Sequence, residues 1–510
     1  MFKCGLNGLV WVAVAIVLNV PKVLAQARQA TVTINLRKTY QTIDNFGASD
    51  AWACQFVGNW PDDKKNKIAD LLFSNENNAD GSPKGIGLSM WRFNIGAGSA
   101  GQGKDSGIGD EWRRAESFLN TDGTCDWQKQ AGQLWFLKAA RQRKVPQFLG
   151  FVNSPPVQLT INGKAYASKG KVNIVPECYG DFARYLAQVV KGVERQSKVK
   201  FDYISPVNEP QWGWSDGGQE GCPYSNTEIA GVVKAVSQAF INDKIKSQII
   251  IGEAGEIGYL YSKKDKPGKD EQINDFFRPA SLNYIGNIPG VAHTITAHSY
   301  FTTSPMAKSV KMRQALADSV AKISGLKYWQ SEYCILGDNA GEMDGNHRDP
   351  GINAALYLAS VIYTDLTAAN ASAWQWWTAI SAYDYKDGLI YIDKNKTGGN
   401  FYTSKMLWAL GNYSRFIKPG ARRIEVHVDA AGLINPLLVS AYQNHKNIAV
   451  VIVNANAEDI ELSLKNIGGN LKYSTSYTTS DMDELKPAIV SRAGMIVKAR
   501  SVVTICGRVK

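Results

Sequence analysis

Residues 203–210 read Tyr203-Ile-Ser-Pro-Val-Asn-Glu-Pro210, an apolar run that stops abruptly at a glutamate and a proline. Such a run is typical of a buried strand, and proline ends it because its nitrogen has no hydrogen to donate to a neighbouring strand. Glu209 is therefore expected at the mouth of a strand. Seven further short apolar runs resemble this one, and they cover residues 44–48, 88–95, 146–153, 249–252, 293–300, 328–332 and 373–378.

Helical patterns lie between most of these runs, for example over residues 181–194 and 352–368. Alternation of strands and helices favours parallel strands joined by crossover helices. Eight such units predict a (β/α)8 TIM barrel, an α/β fold in which the active site lies where the strands end. The polar residues at the carboxyl ends of the runs are therefore the candidates for function.

The pattern changes after residue 411. Short β-branched runs separated by turns, such as 421–428 and 447–453, predict an attached antiparallel β-sandwich domain. The alternating stretch 30–36 has no partner in the barrel, so we assign it to the sandwich. The predicted organisation is a signal peptide at 1–27, an N-terminal sandwich strand at 28–40, a catalytic barrel at 41–411 and the sandwich domain at 412–510.

The N-terminus has the features of a signal peptide. A positive start, an apolar stretch over residues 9–20 and a small-residue cleavage site near residues 25–27 predict export, so we expect a secreted or periplasmic protein. The apolar stretch is too short for a comfortable membrane span, and no membrane association is expected. Six cysteines follow the signal, with Cys178 and Cys222 either a disulfide pair or free thiols.

The formal net charge is +11, but Lys and Arg form no run longer than three residues and no nucleic-acid motif is present. We therefore expect no nucleic-acid partner. The charge fits a solvated basic surface, and attraction to a polysaccharide that carries uronic acids is the alternative. The sequence has no CxxC pair and only five histidines, and we predict neither a cofactor nor a metal site.

Glu209 has the surroundings of a general acid. Trp212 and Trp214 follow it closely and are expected to shield its carboxyl group from water. Removal from water disfavours the charged form and raises a carboxyl pKa, so the group keeps its proton near neutral pH. The neighbouring Asn208 can hydrogen-bond a sugar 2-hydroxyl, a contact that strengthens in the transition state of glycoside hydrolysis. A glutamate that merely caps the next turn is the structural alternative.

A second strand ends in a glutamate at Glu332, within Lys327-Tyr-Trp-Gln-Ser-Glu-Tyr-Cys334. It belongs to the seventh predicted strand, whereas Glu209 belongs to the fourth. Two carboxyl groups about 5–5.5 Å apart hydrolyse a glycosidic bond by double displacement, with retention of the anomeric configuration. The residues alone leave open which glutamate is the nucleophile. Tyr300 can hold the nucleophile ionised, and His298 competes for that role unless it is a satisfied core histidine.

Longer motifs narrow the family. An Asn-Glu-Pro on strand four and a glutamate ending strand seven resemble clan A glycoside hydrolases. Four motifs resemble glycoside hydrolase family 30, and above all its endo-β-1,6-galactanase-like branch, namely Asp44-Asn-Phe-Gly-Ala-Ser-Asp50, Trp91-Arg-Phe-Asn-Ile-Gly-Ala-Gly-Ser99, Phe151-Val-Asn-Ser-Pro-Pro156 and Ser205-Pro-Val-Asn-Glu-Pro-Gln-Trp212. The resemblance covers nearly all of the mature chain. It implies that Glu209 is the proton donor and Glu332 the nucleophile.

The same resemblance implies residues around the sugar that is cleaved. Arg92 would orient a catalytic carboxylate, a role that can coexist with a buried structural ion pair. Asn153 and Asn208 would bind sugar hydroxyls, and Asp50 would flank the ring.

One tryptophan of strand eight would flank the ring as well. Side chains alternate along a strand, so only one of Trp376 and Trp377 faces the interior, and we expect Trp376 to do so. Trp212, His298 and Tyr300 complete the predicted substrate-binding set.

The sequence thus predicts a secreted, monomeric, retaining β-glycoside hydrolase whose partner is a plant-type polysaccharide or oligosaccharide. The most specific prediction is an endo-β-1,6-galactanase acting on arabinogalactan side chains. A xylanase, a glucuronoxylanase or a β-1,6-glucanase of the same family is the alternative. A non-catalytic glycan-binding protein on the same barrel is the alternative from another class, and the presence of both glutamates argues against it.

Overall fold

The computed structural model describes residues 28–490 and 494–510, and the predicted signal peptide lies outside the described residues. The strands are β1 (Arg28–Thr42), β2 (Asn45–Ser49), β3 (Met90–Asn94), β4 (Gln147–Phe151), β5 (Tyr203–Ser205), β6 (Gln248–Ala254), β7 (Val291–His298), β8 (Lys327–Glu332), β9 (Ala373–Ser381), β10 (Gly388–Ile392), β11 (Phe401–Thr403), β12 (Arg422–Asp429), β13 (Leu438–Asn444), β14 (Asn447–Asn454), β15 (Ile460–Ile467), β16 (Leu471–Thr479), β17 (Lys486–Ile489), β18 (Met495–Val497) and β19 (Ser501–Val509).

Helices follow most of the early strands, and short 3₁₀ turns complete the loops. The α-helices are α1 (Cys54–Val57), α2 (Asp62–Phe73), α3 (Ser99–Gln102), α4 (Ala131–Gln142), α5 (Tyr179–Ser197), α6 (Asn226–Asn242), α7 (Gly258–Tyr261), α8 (Gln272–Phe277), α9 (Met306–Ala321), α10 (Ile352–Thr367) and α11 (Lys405–Ser414).

Strands β2 to β9 form a closed parallel barrel. Each strand pairs with the next one along the chain, and β9 closes the ring by pairing with both β8 and β2. Each of the eight predicted apolar runs overlaps one barrel strand, which confirms the predicted (β/α)8 fold. All eight strands point their carboxyl ends at the same face of the barrel, where the candidate functional residues meet.

The barrel strands are apolar because both of their faces are buried, one in the barrel interior and one against the helices. Every residue of β3 and of β9 is buried, for example. Strand β5 is only three residues long and ends immediately before Pro206, so Glu209 lies on the loop that follows it. Strand β6 continues beyond the predicted run to Ala254, and it carries Glu253 into the barrel wall.

The second domain is a curled mixed sheet of nine strands in the order β17-β16-β19-β14-β13-β12-β1-β15-β18. It forms one hydrogen-bonded sheet rather than two packed sheets, because β1 lies between β12 and β15 and joins the two halves. β1 is antiparallel to β12 but parallel to β15, so the sheet is not purely antiparallel as expected. The curled sheet encloses a small apolar core that includes Val32, Ile34, Val450 and Ile505.

Helix α11 joins the two domains. The Asn412 side-chain amide donates to the Tyr477 carbonyl and to the Thr504 hydroxyl, both on the curled sheet. On the barrel side, the Ser414 hydroxyl donates to the carbonyl of Ile86. The helix is almost wholly buried between these contacts, which fixes the sheet against the barrel.

Two further predictions concern membranes and disulfides. Within residues 28–490 and 494–510, none of the helices combines the length and the apolar character needed to cross a bilayer. Cys54, Cys125, Cys178, Cys222, Cys334 and Cys506 are all free thiols, so Cys178 and Cys222 form no disulfide.

Candidate active site

Glu209 is fixed by its backbone as well as by its side chain. Its residue adopts a left-handed φ of +43°, and its amide donates to the Glu253 carbonyl at 2.9 Å. Its own carbonyl accepts from the Trp212 amide at 3.2 Å and from the Trp214 indole Nε1 at 3.0 Å. The carboxyl group is nearly buried at the barrel mouth. The loop after β5 therefore presents Glu209 in one orientation.

Glu332 is the last residue of β8 and is held by two donors. Arg92 Nη1 donates to Glu332 Oε2 at 3.1 Å, and the Tyr300 hydroxyl donates to Glu332 Oε1 at 3.2 Å. All three side chains are buried. One carboxylate oxygen of Glu332, one of Glu209 and one ring nitrogen of His298 lie within 4.8 Å of one another. The barrel thus brings the two predicted catalytic carboxyl groups together.

His298, the last residue of β7, connects three carboxyl groups. Its Nδ1 lies 2.8 Å from Glu209 Oε1 and 3.5 Å from Glu332 Oε1, and its Nε2 lies 2.9 Å from Glu253 Oε2. The Ser331 hydroxyl also donates to Glu253 Oε2, at 2.7 Å. His298 is therefore part of the site and not an isolated core histidine.

Burial and charge oppose each other in this cluster. Burial lowers the pKa of His298, but the charge of Glu332 and the hydrogen bonds to Glu209 and Glu253 outweigh it and raise this pKa to about 10. Burial raises the pKa of Glu332 above its ordinary value, against the opposing charges of His298 and Arg92. Burial would also raise the pKa of Glu253, but the hydrogen bond from His298 and the charge of Arg92 lower it overall. The surroundings thus favour the imidazolium form of His298 and the carboxylate form of Glu253.

Glu209, His298 and Glu332 are also close enough together to hold a metal ion. A metal ligand must offer a lone pair, and an imidazolium has none because both of its nitrogens carry hydrogen. Binding of a metal ion by this cluster would therefore require His298 to lose its proton.

The prediction that Trp376 faces the cleft is wrong. Trp376 donates from Nε1 to the Asp387 carbonyl at 2.7 Å and lies 6.3 Å from the stacked ring of Trp374. Trp374 in turn donates to Asp365 of α10 at 2.9 Å, which identifies this face of β9 as the one that packs on the helices. Because side chains two residues apart share a face, Trp376 faces outward as well.

Trp377 occupies the position that Trp376 was expected to take. Its ring packs edge-on against Trp52, with 5.2 Å between ring centroids, and 6.3 Å from Phe151 at the end of β4. The Arg92 guanidinium lies 4.5 Å from the centroid of the Phe151 ring. Trp377 and the Arg92 guanidinium therefore both lie beside the Phe151 ring.

Residues 29–391, more than half of the chain, match the sequence model described as O-Glycosyl hydrolase family 30. The chain belongs to this family. As a family 30 glycosyl hydrolase, it acts on a β-linked polysaccharide, and its partner is a carbohydrate.

Solved structures show the same architecture as this family 30 hydrolase. A conserved exported protein from Bacteroides fragilis has 34% identity and a TM-score of 0.86, over 93% of this chain and 100% of that one. The catalytic domain of the family 30 xylanase C from Talaromyces cellulolyticus has 22% identity and a TM-score of 0.66, over 94% and 99% of the two chains. An endo-β-1,6-glucanase has 14% identity and a TM-score of 0.65, over 93% of each chain.

Two predicted asparagines of the family 30 hydrolase have unused hydrogen-bonding atoms. Within the described chain, both side-chain amide atoms of Asn153 are buried without a partner, as is Oδ1 of Asn208. Buried polar atoms are normally paired, so unpaired ones in an enzyme cavity suit a polar ligand. Sugar hydroxyls would supply the missing partners.

Asp50 does not join the cluster around Glu332. Its Oδ1 accepts from the Asn94 amide at 2.8 Å. Burial raises the pKa of its carboxyl group to about 8, so it is mostly protonated at neutral pH. Asp50 therefore fixes the end of β3, the strand that carries Arg92, and the position beside the ring that the sequence assigned to it stays a prediction.

Trp212 forms an aromatic wall on the Glu209 side of the cleft. Its ring packs edge-on against Phe301 and Tyr259, with 6.1 and 6.2 Å between centroids. Phe301 is 57% exposed at a left-handed φ of +61°, which is rare for a bulky residue. The pair Trp212–Phe301 thus presents an aromatic surface beside Glu209.

Sequence reasoning missed Glu253, Phe301, Trp52 and the inward orientation of Trp377. The signal for Glu253 was available, because it comes directly after the apolar run 249–252. The rule that polar residues at strand ends carry function would have selected it if the run had been followed one residue further.

Proposed function

We propose that this family 30 hydrolase is a secreted, retaining endo-β-1,6-galactanase that cleaves arabinogalactan side chains. Glu209 is the general acid and base, and Glu332 is the nucleophile. The observation that carries the proposal is the approach of the two carboxyl groups, which have oxygens within 4.8 Å of each other. Retaining glycosidases hold their carboxyl groups about 5–5.5 Å apart, whereas inverting ones need roughly 6.5–9.5 Å to fit a water molecule.

In the first step Glu332 attacks the anomeric carbon while Glu209 gives its proton to the glycosidic oxygen. The glycosidic bond breaks, an ester bond to Glu332 forms, and the leaving sugar departs with the proton. In the second step Glu209 takes a proton from water, the resulting hydroxide attacks the anomeric carbon, and Glu332 is released as a carboxylate.

Arg92 and Tyr300 support the nucleophile. Their hydrogen bonds to the two oxygens of Glu332 stabilise its carboxylate against the effect of burial. Asn153 and Asn208 bind hydroxyls of the sugar that is cleaved. The proton donor Glu209 lies next to Trp212, so the leaving sugar occupies that side of the cleft and the sugar bonded to Glu332 lies toward Trp377.

The linkage and the location rest on different observations. A β-1,6 specificity has a precedent on this fold, since one of the solved structures is an endo-β-1,6-glucanase. The N-terminal features of a signal peptide support secretion, and the relative from Bacteroides fragilis is itself described as exported. The family 30 xylanase favours a second candidate, cleavage of xylan or glucuronoxylan.

The substrate is tested with β-1,6-galactan, β-1,6-glucan and glucuronoxylan, each digested by the purified enzyme and analysed for product size. We expect galactan to give a ladder of short oligosaccharides from the earliest times, as endo cleavage does. If galactan stays intact while glucuronoxylan is cleaved, the proposed galactanase activity is wrong and the enzyme is a xylanase.

The mechanism is tested independently of the natural substrate. Glu332→Gln is expected to lose turnover, because the amide is a poor nucleophile. Glu209→Gln is expected to regain part of its activity with azide on an aryl glycoside that has a good leaving group, because azide needs no general base. Full activity of either variant, or the inverted anomer as first product in proton NMR, contradicts the assignment.

A further inference from the structure

Glu253 is a third carboxylate at the barrel mouth that the two-step mechanism does not use. It is 1% exposed near the end of β6 and accepts from His298 and from Ser331. Its Oε2 also lies 3.7 Å from Nη2 of Arg92. Burial of a carboxylate costs folding free energy unless its charge is balanced. The presence of a buried glutamate with these contacts therefore indicates a role other than packing.

The contacts of Glu253 form a closed ring with the acid/base residue. The Glu209 amide donates to the Glu253 carbonyl at 2.9 Å. His298 then connects the two side chains, because Nε2 lies 2.9 Å from Glu253 Oε2 and Nδ1 lies 2.8 Å from Glu209 Oε1. Through this ring Glu253 fixes both the backbone and the carboxyl group of Glu209, while itself contacting neither the glycosidic bond nor the nucleophile.

The charges of the cluster balance in both halves of the reaction. Before attack, Glu332 and Glu253 are anions, Arg92 and His298 are cations, and Glu209 is protonated, so the net charge is zero. After attack, Glu332 is an uncharged ester and Glu209 has become the anion, and the net charge is again zero. The first step therefore moves one negative charge from Glu332 to Glu209.

His298 lies where this charge moves. Its Nδ1 is 3.5 Å from Glu332 Oε1 and 2.8 Å from Glu209 Oε1, so one imidazolium hydrogen faces both the starting and the final position of the charge. A preorganised cation at that point stabilises the transition state without any rearrangement. The other hydrogen of the ring, on Nε2, is directed at Glu253.

We infer that Glu253 is a positioning residue that holds His298 as an imidazolium oriented toward both catalytic carboxyl groups. The inference rests on the proposed roles of Glu209 and Glu332. It explains why a buried histidine contacts carboxyl groups through both ring nitrogens. It also explains why Ser331 and Arg92 lie beside a carboxylate that takes no part in bond making. The titratable groups that face His298 are Glu209, Glu253, Glu332 and Tyr300.

The protonation state is measurable in the unmodified enzyme. His298 is the only histidine of the described chain that is buried, and the other four are exposed, so only its N–H protons are expected to exchange slowly with water. In 15N-histidine-labelled enzyme we expect both ring nitrogens of His298 to be protonated from pH 5 to pH 8.5. A neutral ring anywhere in that range would overturn the inference without recourse to a variant.

Glu253→Gln then tests the cause. Without its counter-anion, the imidazolium is expected to lose its proton within the same pH range. We expect kcat to fall by roughly one to two orders of magnitude, part of the 10²–10⁴-fold that acid–base catalysis contributes, while KM changes less than about threefold. In this variant the alkaline limb of the pH profile of kcat should have the same midpoint as the titration of the His298 ring. Glu253→Asp, which keeps the charge, should restore the imidazolium and part of kcat.

Asp202→Asn is the matched control, because Asp202 lies one residue before β5, at the opposite end of the barrel. It accepts from the Phe148 amide, as an asparagine oxygen also can. This variant should change neither the histidine spectrum nor the pH profile. If Glu253→Gln behaves like this control while Glu332→Gln is inactive, the inference about Glu253 is wrong and the proposed function stands. Full activity of Glu332→Gln would instead remove the proposed function.

Discussion

Tyr300→Phe isolates one hydrogen bond to the proposed nucleophile. The substitution removes a single hydroxyl and leaves the ring, which packs between His298 and Tyr333. The lost interaction is the donation to Glu332 Oε1 at 3.2 Å. Because this hydroxyl stabilises the carboxylate and not the carboxylic acid, its removal is expected to raise the pKa of Glu332 above the value that burial already gives it.

The size of this effect follows from the geometry. A hydrogen bond to a charged group contributes about 1.5–3 kcal/mol, and 3.2 Å is longer than the usual O–H···O distance of about 2.7–2.8 Å. We therefore take the lower value, about 1.5 kcal/mol, which corresponds to roughly one pKa unit. The nucleophile must be ionised to react. The acidic limb of kcat/KM is thus expected to move up by about one pH unit.

The assay is kcat/KM from pH 4 to pH 9, measured by release of reducing ends. Below the acidic limb, Tyr300→Phe should be roughly tenfold less active than the parent enzyme, since one pKa unit is a factor of ten. Above it, the two enzymes should nearly coincide, because both nucleophiles are then ionised. A loss of kcat/KM that is confined to low pH distinguishes a change in ionisation from a general loss of packing, which would lower kcat/KM at every pH.

Tyr333→Phe is the matched control. Tyr333 is buried next to Tyr300, but its hydroxyl contacts Thr303 at 3.4 Å and not Glu332. Its removal should leave the acidic limb in place. The argument fails if the Tyr300→Phe profile is unshifted, or if both variants shift equally.

Two further predictions concern Asp50 and the tryptophans of β9. The folded pKa of Asp50 is raised to about 8, so between pH 4 and pH 8 the folded state holds a proton that the unfolded state has lost, and stability falls as pH rises. Asp50→Asn removes this pH dependence. The unfolding free energy of the variant, measured in urea and relative to the parent enzyme, should therefore rise between pH 5 and pH 7.5 by up to about 1.4 kcal/mol per pH unit. A difference between the two proteins that does not change with pH would contradict the prediction. Trp377→Ala should raise KM by about tenfold or more through loss of an apolar sugar contact. Trp376→Ala should instead cost about 3–5 kcal/mol of stability and leave KM nearly unchanged. The reverse pattern would show that Trp376, and not Trp377, faces the substrate.

The barrel could be predicted because the features that define it lie within short segments of the sequence. A strand buried on both faces must be apolar throughout, and a crossover helix must separate it from its parallel neighbour. Both features leave a mark within each segment, so the eight runs located the eight strands. The same rule drew attention to Glu332 and His298, which are the last residues of β8 and β7.

The orientation of Trp376 could not be predicted because it depends on distant residues. Alternation determines that neighbours face opposite ways, but it does not say which one faces inward. Which tryptophan faces inward is determined by the hydrogen bond from Trp374 to Asp365 of α10, because this bond directs one face of β9 toward the helices. The curled sheet has a similar cause, since β1 inserts between β12 and β15, which lie roughly 400 residues later in the chain.

Glu253 differs from these cases, because a charge balance on the predicted residues points to it. With Glu209 protonated as the acid, the predicted site contains one anion, Glu332, and two potential cations, Arg92 and His298. Either His298 is neutral or a further buried anion is present, since an unbalanced buried charge costs several kcal/mol. The distance of 2.8 Å from Nδ1 to Glu209 favours a charged ring only if an acceptor also lies at Nε2. Glu253 is that acceptor, and it lies one residue beyond an apolar run that the sequence had already identified as a barrel strand.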